Sequence, residues 1–269
     1  MAELTDPAQE FALLCSALRT EDNAKGANYL AAKFDTAPYS FHFYQVLFTI
    51  IERAEFLRQI TAQLPEAEHV APQIEKNIKQ ILKAFEAPNL AQPWRTHGAP
   101  YLNDANISPI LIFSVAVRKK FAYPLLTEDE QSELVGVVEE LISWLDGHQI
   151  GEQDFIRQAL IEGLRQFKFR VERLRWMGWG YTLQSLREVI SAYMALERGF
   201  TTEGEMPLVA AVLKKTAQGL RKIYSTAGVA KEVFESGDFI LKAYGAASMV
   251  INAKVAGIAG VLTFTNATG

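Results

Sequence analysis

The chain has 269 residues, 49% of them apolar and 22% charged, which excludes disorder and leaves enough length to bury a sizeable core in one large domain or two small ones. A formal net charge of −4 excludes a surface coated for nucleic acid, though not a local basic patch. The one cysteine, Cys15, excludes an internal disulfide and any multi-thiolate metal site.

Helical signals follow one another along the chain, and strand alternation is nearly absent. Asp6 before Pro7 is a helix start, with a capping side chain outside and proline in the first turn. Cys15 lies among Phe11, Leu14 and Leu18 at helical spacing and reads as a small buried hydrophobe. Ser40 caps a long apolar helix through Phe41, Tyr44, Leu47, Phe48, Ile51 and Phe56. Val70, Ile74, Ile78, Ile81, Leu82 and Phe85 step by three and four, which predicts one buried stripe.

Residues 87–107 hold Pro88, Pro93, Gly98 and Pro100, and are expected to form a long loop. Trp94 and Tyr101 pin that loop to the body, and His97 and Asp104 join them as candidate lining of a pocket. Ser108-Pro109 is expected to open the next helix. Thr127 and Glu130 form a capping box for the one after, which presents Leu134, Val138, Leu141 and Leu145. Asp146-Gly147 is expected to end it in the left-handed conformation.

Ile156, Leu160, Leu164, Phe167, Val171 and Leu174 make the cleanest apolar stripe of the chain. Thr182 is expected to cap a helix through Leu186, Val189, Ile190 and Tyr193 that stops at Gly199, and Pro207 starts another reaching about Tyr224. The fold class that follows is all-α: a multi-helix, bundle-like body over residues 1–228, then a C-terminal hydrophobic helical segment over 229–269. Gly228 and Ser236-Gly237-Asp238 are hinge candidates between the two.

Catalytic signatures are thin. The histidines His42, His69, His97 and His148 never pair at metal-ligand spacing. Gly178 and Gly180 sit between tryptophans with no preceding strand, so they make no phosphate loop. Glu128-Asp129-Glu130 suits a helix start, where negative charge meets the helix dipole, and Glu139-Glu140 suits a solvated face. The expectation is a protein that is not an enzyme and carries no metal or cofactor.

One constellation carries recognition chemistry. Arg157, Arg165, Lys168, Arg170, Arg173 and Arg175 face only Glu162 and Glu172, and the aromatic turn Trp176-Met177-Gly178-Trp179-Gly180-Tyr181 follows directly. Helical spacing gathers Arg157, Arg165, Lys168 and Arg175 beside the apolar stripe. Guanidinium groups pair bidentately with phosphates, and aromatic faces stack on bases. The candidate ligand-binding residues are therefore Arg157, Arg165, Lys168, Arg173, Arg175, Trp176, Trp179 and Tyr181, with a nucleotide or short single strand as ligand. The opposing reading is a solvated basic face followed by a tryptophan-rich turn plugged into the core.

The run from Ala243 to Phe264 carries one charge, Lys254, and matches the roughly 20 residues that a helix needs to span hydrocarbon. Ala253 with Gly257, and Ala256 with Gly260, are small-residue pairs that allow close helix packing in lipid or in a core. Lys254 opposes spontaneous insertion at a cost of about 2.5–3.5 kcal/mol. It would face an aqueous path in an assembled bundle. In layout, a helical body followed by a late small-residue apolar helix resembles membrane-disrupting effectors, including bacterial defence proteins held inactive by a nucleotide; no motif carries the likeness.

The function expected is a membrane-active, pore-forming or membrane-disrupting effector restrained by a nucleotide or oligonucleotide. The alternatives are a soluble helical protein engaging nucleic acid or an acidic partner, and a structural oligomer with the C-terminal helix as interface. The expected partners are further copies of the chain, the nucleotide or single strand, and conditionally a membrane. The N-terminus lacks the basic start and apolar core of a signal peptide, so the expected location is cytoplasmic with conditional association with the inner membrane.

Overall fold

Asp6 caps helix α1 (Pro7–Leu18) as the Asp-Pro pair predicts, its Oδ1 accepting the Ala8 and Gln9 N–H groups, each at 3.0 Å. Such a cap contributes about 1 kcal/mol. The computed structural model describes residues 4–64, 68–119, 121–151, 154–199 and 207–226. Within them strand β1 (Leu4–Thr5) precedes α1, followed by α2 (Gly26–Phe34), α3 (Phe41–Gln63), α4 (Ala71–Lys83), α5 (Ala87–Leu90), α6 (Trp94–His97), a 3-10 turn (Ala99–Tyr101) and α7 (Asp104–Arg118). Strand β2 (Tyr123–Pro124) then leads into α8 (Glu128–Asp146), α9 (Asp154–Glu172), α10 (Leu174–Met177), α11 (Trp179–Gly199) and α12 (Pro207–Thr226). The strands form one antiparallel pair, Leu4 opposite Pro124 and Thr5 opposite Tyr123. The remaining named elements are helical, and the fold is all-α.

Two hydrophobic clusters divide this body. The first is built mainly on α1 to α7 around Phe11, Phe34, Phe43, Ile50 and Trp94. The second is built on α8, α9, α11 and α12 around Leu141, Leu160, Leu164, Phe167 and Val189. Trp176 and Met177 of α10 belong to the first, and Trp179 at the head of α11 belongs to the second. Residues 176–179 therefore join the two, through Gly178 at φ 78°. Any other residue would be strained there, and a Cβ would lie 2.8 Å from Arg53 Nε. In the second cluster α9 carries the expected stripe from Ile156 to Val171, and Gly163 lets it approach Val189 of α11 closely.

Several local expectations hold. Thr127 Oγ1 accepts from Glu130 N at 3.2 Å, and Glu130 Oε2 accepts from Thr127 N at 2.8 Å, closing the capping box. Ser40 caps α3, α11 ends at Gly199 and α12 starts at Pro207. Ile74, Ile78, Ile81 and Phe85 are buried as the stripe predicts, whereas Val70, just before α4, is exposed.

Others are corrected. The stretch 87–107 is no plain loop: α5, α6 and the 3-10 turn occupy it. Helix α7 starts at Asp104 under an Asn103 cap, so Pro109 lies inside the helix rather than opening it. There, past the first turn, it has no N–H to give the Ala105 carbonyl. Gly147 is right-handed, at φ −80°. Thr182 lies inside α11, where its hydroxyl donates to Gly178 O at 2.9 Å instead of capping a start. Helix α3 turns Phe41 and Phe48 to solvent (73% and 57% exposed) and buries Val46, Ile50, Leu57 and Ile60 instead.

A cleft between the two helical clusters

Glu10 and Arg53 are charged residues that fall on buried helix faces. On α1, Glu10 precedes Leu14 by four; on α3, Arg53 sits between Ile50 and Leu57 in the buried row. Each is in register with apolar neighbours, so folding carries both inward. Arg53 is 5% exposed and answers its burial with three partners. Its Nη1 donates to Trp176 O at 2.7 Å and to Arg175 O at 3.4 Å, and its Nη2 lies 3.4 Å from Glu10 Oε2. Burial pushes the Glu10 carboxyl above its ordinary value, a shift that Arg53 and the Trp179 N–H partly offset. Cys15, fully buried nearby, is pushed up to about 12 by the same loss of solvent, which makes it an inert core thiol.

This ion pair floors a cleft of about 520 Å³ at the junction of the clusters. Leu13, Leu14 and Ala17 of α1 form one wall. Leu125 and Leu126 ahead of α8, and Leu174 and Trp179, form the other. Gln131 and Arg175 supply polar groups. Leu13 and Leu125 are 54% and 44% exposed, so the mouth itself is apolar. Arg175 is exposed, stacks 5.3 Å over the Trp176 ring, and has no carboxylate partner among the described residues. A pocket of this size, mostly apolar with few polar groups, suits a small amphipathic molecule.

The basic-aromatic constellation is split by this geometry. Arg175 and Trp179 reach the cleft. Arg157 does not lie on a basic surface: it is 2% exposed, chelates Asp154 through Nε at 2.5 Å and Nη2 at 2.9 Å, and donates to Leu145 O at 2.7 Å. Arg165 pairs with Asp146 at 3.5 Å, and Lys168 with Glu139 at 2.6 Å and Glu172 at 3.4 Å. Arg173 ends α9, donates to Phe34 O and Asp35 O at 2.9 Å, and covers the Phe169 ring at 4.3 Å. Trp176 packs against Phe34 at 5.5 Å in the first cluster. Tyr181 is buried, its hydroxyl pushed up by lost solvent. Acidic partners from α8 thus take up the cations that spacing alone gathers, and the chain bends at Arg173 so that Arg175 belongs to another helix.

Glu10, Arg53, Leu13 and Gln131 were absent from the sequence-based candidates. The signal for the first two was available, since each is a charge in phase with an apolar stripe. Ala253, Lys254, Gly257 and Gly260 lie outside the described residues, as does the whole run 243–264. Among the described residues no helix is long and apolar enough to cross a membrane, and no His, Cys, Asp and Glu cluster could hold a metal ion. Comparison with protein-family models, curated proteins and solved structures finds no match for this chain.

Proposed function

We propose that this chain is a ligand-restrained helical effector. A small amphipathic anion in the cleft keeps the apolar run 243–264 packed on protein, and loss of that ligand releases the run to a membrane. The observation that supports this reading is the cleft itself, where the Arg175 guanidinium and Trp179 meet the apolar side chains of α1 and of the segment before α8.

The lining defines the ligand. One uncommitted guanidinium, Arg175, suits one anionic group, and Trp179 with the leucines suits an apolar or aromatic remainder. A mononucleotide and an acyl carboxylate both fit that description. An oligonucleotide would need a track of uncommitted cations, and Arg157, Arg165, Lys168 and Arg173 are held by internal partners.

Dye leakage from phosphatidylethanolamine–phosphatidylglycerol vesicles tests the reading, with adenosine monophosphate and dodecanoate as probes. Full-length protein should cause leakage that one of the probes suppresses. Arg175→Ala should leak regardless of probe, and Gly257→Leu or Gly260→Leu should leak less by blocking close helix approach. Lys254→Leu should partition into vesicles more readily. Intact vesicles with full-length protein, in the absence and presence of both probes, would overturn the proposal.

A further inference from the structure

The stretch 87–107, with Gln80, builds a second concavity on the helices that carry the first cluster. Gln80 of α4, Asn89 of α5, His97 of α6, Tyr101 of the 3-10 turn and Asn106 of α7 line a bowl of about 440 Å³. Its frame is fixed. The Trp94 ring is fully buried, donates through Nε1 to Leu18 O at 2.9 Å, and stacks on Tyr29 at 5.1 Å. The backbone around it is clamped to the segment before α2: Gly26 N to Gln92 O at 2.8 Å, Trp94 N to Ala24 O at 2.9 Å, and Arg95 N to Asp22 O at 2.8 Å. Gly98 is required, because a Cβ there would sit 2.2 Å from the Trp94 ring.

The hydrogen-bonding groups of the bowl are neutral donors and acceptors. Asn89 spends its amide nitrogen on Lys83 O at 2.6 Å, and Asn106 spends its own on Tyr101 O at 2.9 Å. Each keeps a carbonyl oxygen, an acceptor with two lone pairs, and the second hydrogen of its amide nitrogen. Thr96 has one hydroxyl hydrogen, directed to Pro93 O at 3.3 Å. Thr96 Oγ1 and His97 Nδ1 also share a hydrogen bond at 2.8 Å, and His97 Nε2 is left to donate or accept according to the tautomer. Gln80 adds one acceptor and one donor group. No Lys, Arg, Asp or Glu lines the bowl, so a charged ligand would lose hydration without gaining a counter-charge.

From this neutral set of donors and acceptors on a rigid frame, we infer that the bowl is a binding site for a neutral polyhydroxylated molecule, a saccharide or related polyol. Its hydroxyl groups pair with the Asn89 and Asn106 side-chain amides and with His97 Nε2, and its C–H face rests on Tyr101. This inference is independent of the cleft and of membrane action.

Saturation-transfer difference NMR on the full chain tests it, with methyl glucoside, N-acetylglucosamine, trehalose and inositol at millimolar concentration, and putrescine and inorganic phosphate as charged controls. At least one polyol should receive saturation. Gln80→Leu and His97→Leu, each at a solvent-facing position, should weaken its binding about tenfold with an unchanged circular dichroism spectrum. No transfer to any polyol would overturn the inference. So would undiminished transfer in both folded variants, or transfer confined to putrescine or phosphate.

Discussion

Each helical cluster contains one nearly inaccessible arginine, and the two are satisfied in opposite ways. Arg157 closes its circuit locally: Asp154 sits three residues before it on the same helix and takes two of its donors. Arg53, carried by α3, gathers partners from two other helices, Glu10 of α1 and the carbonyls of Arg175 and Trp176 in α10. The first is a staple that ties α9 to the end of α8. The second holds the two clusters in register and borders an open cleft. A buried cation whose partners come from distant segments marks a place where elements meet, and such junctions are where binding sites tend to form.

Removing Arg53 should give the largest effect. Arg53→Met leaves the Glu10 carboxylate and two carbonyls without their donor, and breaking a buried pair from one side costs about 3–5 kcal/mol. Urea unfolding at neutral pH should register that loss, and Arg53→Met with Glu10→Leu should recover much of it. The pH dependence has a defined sign. Burial raises the folded-state Glu10 carboxyl, so its contribution is fully present below the ordinary value near 4.5 and is lost as pH rises through the raised one. The deficit of Arg53→Met should therefore shrink as pH falls. A pH-independent loss of under 1 kcal/mol, the range of a surface pair, would end the distinction between the two arginines.

The same contrast explains what was legible in the sequence. An acidic residue three positions from Arg157 is a local pattern, as are the Asp6 cap, the Thr127–Glu130 box and the stripe from Ile156 to Val171; local patterns fix helices. Pairing is non-local. Nothing in the spacing of Arg165 and Lys168 announces that α8 brings Asp146 and Glu139 beside them. Nor does spacing show that the helix breaks at Arg173 and sends Arg175 toward α1. The all-α fold and most helix ends could be read; the cleft could not, because its lining comes from five helices, strand β1 and the linker before α8. Even so, Glu10 and Arg53, each in phase with an apolar stripe, pointed to a buried pair without saying which residues met.

The Arg157 staple should respond to acid in the opposite direction from Glu10. Its hydrogen bonds to Asp154 hold that carboxyl down at about 2, from an ordinary 3.8. A depressed carboxylate contributes stability that is present above the unfolded value and lost as pH falls through the folded one. Asp154→Asn should thus be less stable than the parent chain at neutral pH, by less than Arg53→Met because the carboxylate is solvated. The gap should close between about pH 4 and pH 2. Thermal unfolding across that range checks it, and a gap that widened on acidification would contradict the pairing.

The smallest effect should come from the residues that the sequence marks most strongly. Arg165 and Lys168 look like a phosphate clamp in one dimension, yet their ion pairs with Asp146, Glu139 and Glu172 lie on the solvated outer face of α8 and α9. Exposed pairs contribute about 0–1 kcal/mol and are screened by salt. Arg165→Gln with Lys168→Gln should change unfolding free energy within that range, and the change should fade at high ionic strength. In the same assay Arg175→Ala should leave stability almost unaltered but lose the response of vesicle leakage to the anionic probe. If the double glutamine variant also lost that response, the ligand would belong to the α8–α9 face rather than the cleft. Agreement with the expected split would make the location of a cation, not its membership of a run, the property that separates Arg175 from its neighbours.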